Sequence, residues 1–205
     1  MKHIIKGALT LAIAAQGVLG MTAVASAQAA PAAESWAGAY AGLKAEAFRS
    51  GETSYNFVNQ GGTTSFPYDL AETTEGGLFM GHNFTYGNIV FGPEIAYTRG
   101  GPAEQLTPGS ELEGVADLKA RVGYATGQVL VYGFLGYSYA NWSEFGSRIE
   151  IDGKIYGLGV DYLMPSGLFL GAELSRRELE GHYYFGSDYL AAETTSLSLR
   201  AGYRF

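Results

Sequence analysis

No cysteine occurs among the 205 residues. That absence excludes a disulfide framework, a thiolate metal site, a thiol nucleophile and a lipid-bearing cysteine together. Basic residues are few, 13 Lys and Arg against 20 Asp and Glu for a net charge of −7, so the footprint of a nucleic-acid binder is missing. Beyond the first 27 residues no apolar run approaches the roughly 20 residues that a membrane-spanning helix needs. Disorder is equally excluded, because a hydrophobic fraction of 47% drives a chain to collapse.

What is present starts with MKHIIKG, which carries Lys2 and Lys6 ahead of an apolar stretch from Ala8 to Ala25. The stretch ends in Ala25-Ser26-Ala27, the small-x-small site of a cleaved secretory signal peptide, with the mature chain starting at Gln28. Removing 1–27 leaves 178 residues, a single-domain length, with 11 basic side chains against 20 acidic ones and a net charge of about −9. A short linker, 28–35, then precedes one domain over 36–205.

Thirty glycines, fifteen tyrosines and eleven phenylalanines accompany a period of two rather than 3.6. Eight alternating segments follow from it: Trp36 to Arg49, Glu75 to Tyr86, Ile89 to Arg99, Leu112 to Tyr124, Val129 to Asn141, Lys154 to Met164, Leu168 to Glu178 and Glu193 to Phe205. The fourth sets Leu112, Ala116, Leu118, Ala120, Val122 and Tyr124 against Glu113, Asp117, Lys119 and Arg121. Long polar connections (50–74, 100–111, 142–153, 179–192) alternate with connections of a few residues. An even number of roughly ten-residue segments with short turns at one end and long loops at the other predicts an all-β fold, an eight-stranded antiparallel up-and-down transmembrane β-barrel.

A soluble barrel would bury the apolar face, so the direction of the faces needs separate support. The polar face holds both signs: Lys44, Lys119, Arg121, Arg177, Arg200 and Arg204 against Glu46, Glu75, Glu94, Glu113, Asp117, Asp161 and Glu173. Such a set can pair across a narrow lumen. Aromatics collect near segment ends (Trp36, Tyr86, Tyr97, Tyr124, Tyr162, Tyr203, Phe205), where an interfacial girdle would sit. Glycines favour the polar face, leaving room for larger neighbours in a tightly curved wall.

GGLFMGHNFTYGNIVFGPEIAYT (76–98), DLKARVGYATGQVLVYGFLGYSYA (117–140), YGLGVDY (156–162) and the terminal RAG and YRF carry a resemblance. In that order they resemble the small outer-membrane β-barrel proteins of the opacity and OmpA-like superfamily, especially the porin-family surface proteins of alphaproteobacterial type. The resemblance implies an eight-stranded barrel in the Gram-negative outer membrane, among its lipid and lipopolysaccharide. It also implies insertion by the barrel-assembly machinery, with Tyr203 and Phe205 as the terminal signal. His82 stands where the family often has tyrosine.

Catalysis would need a nucleophile, a base and a carboxylate converging at one level of the wall. His82 falls on the expected lipid face and His182 in the last long loop, neither with a serine at a pairing offset, so no catalytic, metal or cofactor site is expected. A paired charge network filling a narrow lumen points to a structural, envelope-integrity and surface role. A narrow porin, or a surface adhesin binding a ligand through its Tyr-, Asn- and Ser-bearing loops, is the alternative.

Overall fold

The structure is a computed structural model that describes residues 33–59, 61–106, 109–144, 147–182 and 187–205. Ala25, Ala27 and Gln28, the expected cleavage site, lie outside the described residues. Among the described residues a 3-10 turn (Glu34–Trp36) leads into nine antiparallel strands. They are β1 (Gly38–Asn59), β2 (Gly62–Asp69), β3 (Thr73–Tyr86), β4 (Ile89–Arg99), β5 (Ser110–Thr126), β6 (Val129–Glu144), β7 (Ser147–Leu163), β8 (Leu168–His182) and β9 (Tyr189–Arg204).

β1 pairs with both β2 and β3, each strand from β3 onward pairs with the next, and β1 also pairs with β9 from Tyr40↔Arg204 to Asn56↔Tyr189, which closes the sheet into a ring. The ring is eight seats wide. The near half of β1 pairs with β3 and its far half with β2, so β2 and β3 share one seat at different heights. Closure satisfies the ladder groups that an open edge would expose to lipid. Tight hairpins close one end: Gly87 and Gly127, each at φ +59°, take the left-handed conformation that a two-residue turn requires.

The alternation has a clear direction. Leu43 (70% exposed), Leu135 (68%) and Leu158 (65%) face out, while Lys44, Glu94 and Arg177 face in and are buried. An apolar belt of that exposure around a whole molecule needs lipid rather than water against it. Tyr86, Tyr124, Tyr162, Tyr203 and Phe205 ring its lower edge, and Tyr97, Tyr137, Tyr139 and Tyr156 its upper edge. On β4 the belt runs from Ile89 to Tyr97, about 20 Å of depth for a strand tilted about 40°.

Four expectations are corrected. The long connections are mostly wall: β1 has 22 residues and β7 has 17, against the 9–11 that a tilted span uses. Above the belt the pattern inverts. Tyr55, Leu112, Trp142, Ile151, Leu179 and Leu190 pack inside as an apolar core, while Glu52, Glu111, Arg148, Glu150 and Glu180 face outward. This outer tube behaves like a soluble barrel stacked on a membrane one, and its charged outward residues are what made it read as loop.

Trp36 is not in the girdle. It is 2% exposed inside the ring, because the 3-10 turn (Trp36 N–H to the Ala33 carbonyl, 2.9 Å) folds it back against Phe169. Glu113 does not face the lumen. A β-bulge between Leu112 and Gly114 shifts the register by one residue, turning Leu112 inward and Glu113 outward. His182 ends β8 rather than sitting in a loop.

Candidate functional site in the barrel lumen

The lumen is filled in layers. At the turn end, Trp36, Tyr40, Phe79, Leu130, Phe134 and Phe169 form an aromatic plug within the larger apolar cluster there. Phe169 meets Trp36, Tyr40 and Phe79 at centroid distances of 6.4, 5.9 and 6.0 Å. Glycines on the neighbouring seats make this packing possible. A Cβ at Gly42 or Gly202 would collide with the Phe79 or Phe169 ring, and one at Gly159 with Tyr132.

Above the plug lies a tier built on three carboxylates. Glu94 forms an ion pair with Lys119 (2.6 Å) and accepts from Arg121 (2.8 Å) and Arg200 (2.6 Å), with Tyr40 Oη donating from the side (3.0 Å). Glu173 pairs with Lys119 (2.9 Å) and Arg200, and Asp161 with Arg121 (2.9 Å). Tyr132 Oη donates to Glu173 at 2.9 Å. The Arg200 guanidinium lies 3.9 Å from the Phe79 ring centre and that of Arg121 3.9 Å from Tyr132, so each planar cation also rests on an aromatic face.

A second tier follows toward the outer tube. Arg177 forks onto Asp117 at 3.0 and 2.7 Å and reaches Glu46 at 2.6 Å, a bidentate geometry that fixes its orientation. Lys44 pairs with Glu46 at 2.8 Å. The remaining carboxylate lone pairs are taken by hydroxyls: Thr98 and Ser196 donate to Glu46 (2.7 and 2.6 Å), and Ser138 donates to Asp117 (2.6 Å). The apolar core of the outer tube closes the stack from above.

Of the thirteen charged residues expected in the lumen, the structure brings ten together. Lys44, Lys119, Arg121, Arg177 and Arg200 face Glu46, Glu94, Asp117, Asp161 and Glu173, five of each sign and all buried. Glu75 and Arg204 share the inward face but make no ion pair among the described residues. Glu75 accepts from Thr73 (2.8 Å) near the outer rim, and Arg204 donates to the Ala37 carbonyl (3.2 Å) at the turn end. Arg204, Arg121 and Asp161 border a gap of about 10 Å³, the space of one water. Glu113 belongs to the outer wall, where it pairs with Arg148 at 2.5 Å.

The hydroxyl partners Tyr40, Thr98, Tyr132, Ser138 and Ser196 carry no charge to announce them. Their signal is parity, since each shares the face of the charged residues on its own strand. His82 faces outward against Phe84 (4.6 Å), and His182 lies beside Tyr189 (6.1 Å). Among the described residues no group of three or more His, Cys, Asp or Glu side chains is arranged to hold a metal ion. Tyr203 and Phe205 face outward in edge-to-face contact at 5.3 Å, and the Phe205 N–H bonds the Ala39 carbonyl at 2.9 Å.

Comparison with solved structures finds Neisserial surface protein A (13% identity, 82% of this chain and 97% of that one, TM-score 0.47). It also finds OprG from Pseudomonas aeruginosa (15%, 82% and 96%, TM-score 0.46). The outer membrane protease OmpT from Escherichia coli is similar at 10% identity, 82% and 96% coverage and a TM-score of 0.45. No curated protein sequence matches the chain significantly. The profile of the outer membrane protein beta-barrel domain matches residues 17–205, all but the first sixteen, and the chain belongs to that family.

Proposed function

We propose that the protein is a non-conducting outer-membrane barrel with a structural role in the envelope and a surface role through its outer tube. The observation that carries this reading is the lumen itself: five cations and five carboxylates, all buried, with an apolar layer at each end. An eight-seat barrel is just wide enough for side chains to fill, and a network that uses its charges on one another has none left to guide an ion. Its role is not enzymatic: the buried acids serve structure, and the histidines stand apart from them.

Export through a peptide cleaved after Ala27, and insertion by assembly machinery that recognises Tyr203 and Phe205, complete the proposal. Liposome swelling tests the lumen. Vesicles holding the folded barrel should swell in small sugars no faster than empty ones, and rapid swelling would favour a porin.

A second reading is favoured by one observation. At the far tip of the β1–β2 hairpin, Phe57 and Phe66 form an exposed edge-to-face pair at 5.8 Å, in a stretch from Thr53 to Tyr68 without a single charge. Exposed aromatics among Ser, Asn and Gly suit an adaptable binding surface. Replacing both rings by serine should abolish attachment of whole cells to the partner surface while leaving barrel assembly intact. Unchanged attachment would remove this reading.

A further inference from the structure

The bulge that turns Glu113 out of the lumen does so beside an unfilled place in the outer wall. Tyr97 on β4, Ala116 on β5 and Tyr139 on β6 are register partners in one outward row, so a methyl group separates two phenol rings. One row higher stands Gly114, whose missing side chain matters, because a Cβ there would come within 2.9 Å of Tyr97 Oη. Asn141, partner of Gly114, and the Glu113–Arg148 pair form the upper rim. Together they bound a recess of about 230 Å³ that opens sideways.

Its level in the wall selects its occupant. Leu118 and Ile95 of the apolar belt lie directly below, and the charged collar of Arg148, Glu150 and Asp152 lies above. A molecule entering sideways at this height is the headgroup of an outer-leaflet lipid. The recess is smaller than a drug-sized pocket and suits one ring. Glu113 and Arg148 neutralise each other, which disfavours a free phosphate. The pair still keeps unused carboxylate lone pairs and guanidinium N–H groups, and the Asn141 amide adds a donor and an acceptor. Tyrosine faces with an amide, a carboxylate and a guanidinium above them match the hydroxyls and C–H faces of a sugar.

We infer that this recess holds the sugar ring of a glycolipid in the outer leaflet. The inference rests on the bilayer placement of the wall and goes beyond the proposed role by naming a lipid ligand and its seat. The bulge re-aims an acid from the lumen for that contact, a use for which bulges recur.

Native mass spectrometry of the full barrel, released from phosphatidylethanolamine bilayers doped with a monoglucosyl diacylglycerol, tests it. The wild type should retain one glycolipid, and Ala116→Phe, which fills the floor, should retain at least tenfold less. Tyr139→Ser serves as the second variant if the first fails to assemble. Equal retention by wild type and variants would overturn the site. Retention of phosphatidylglycerol with the same dependence on Ala116 would overturn the sugar. Binding of soluble methyl glucoside as tight as that of the lipid would overturn the membrane source. Heat-modifiable gel mobility of each variant reads barrel formation separately, so loss of the site and loss of the barrel are distinguishable.

Discussion

Arg177 shows how the interior is held. It makes bonds to two acids and a serine, and its burial is tolerable only because every neighbour answers it. Replacing it by methionine leaves Glu46 and Asp117 without their main partner. Urea titration in detergent micelles should then show a loss on the order of 3–5 kcal/mol. Adding Glu46→Gln and Asp117→Asn to that variant should recover much of the loss, because the penalty comes from the unpaired charges rather than from the missing bond. Space matters as much as charge. Gly159→Val would press a branched side chain onto the Tyr132 ring, and overpacking of this kind costs about 1–3 kcal/mol.

At the scale of the element, the bulge in β5 decides what faces where. The chain has no cysteine, so single-cysteine labelling can read the bulge directly. Glu113→Cys should react with a membrane-impermeant maleimide on intact cells and Leu112→Cys should not; the reverse pattern would mean an unbroken register. The terminal element gives a different prediction. Deleting Phe205 should lower the amount of barrel in the outer membrane, and the fraction refolded in vitro should keep most of its stability, because the ring is outward and 71% exposed.

Strand faces from Gly38 to Phe48 and from Leu168 to Arg177 were legible in the sequence, because a period of two with one apolar face persists there. The bulge at Leu112 was not, since one extra residue in an alternating run leaves no mark when Glu and Leu both fit a strand. The outer half of β1, the whole of β2 and the first seven residues of β7 do not show in the sequence as membrane strand either. Above the belt the wall faces water and inverts its polarity, so Ile149 and Ile151 alternate with Arg148, Glu150 and Asp152 as in a soluble sheet. The place of Trp36 is not legible either, because aromatic position near a segment end does not distinguish a girdle from a plug. The ten charges that meet in the lumen stand out by parity and charge together, whereas the hydroxyls that finish the network share the parity but carry no charge to single them out.

On the scale of the whole molecule, one ring serves two solvents. Its lower part presents leucine to lipid and charge to itself, and its upper part presents charge to water and leucine to itself. The two interiors join end to end, a tier of ion pairs under an apolar core, and that junction makes the stack continuous from Trp36 to Trp142. Single-channel recording from pure, folded barrel in a planar bilayer tests this arrangement most directly. Wild-type protein should give no stable conductance steps above the bare membrane. Large, long-lived steps would mean that the buried charges line a water-filled path, and the filled lumen would be contradicted.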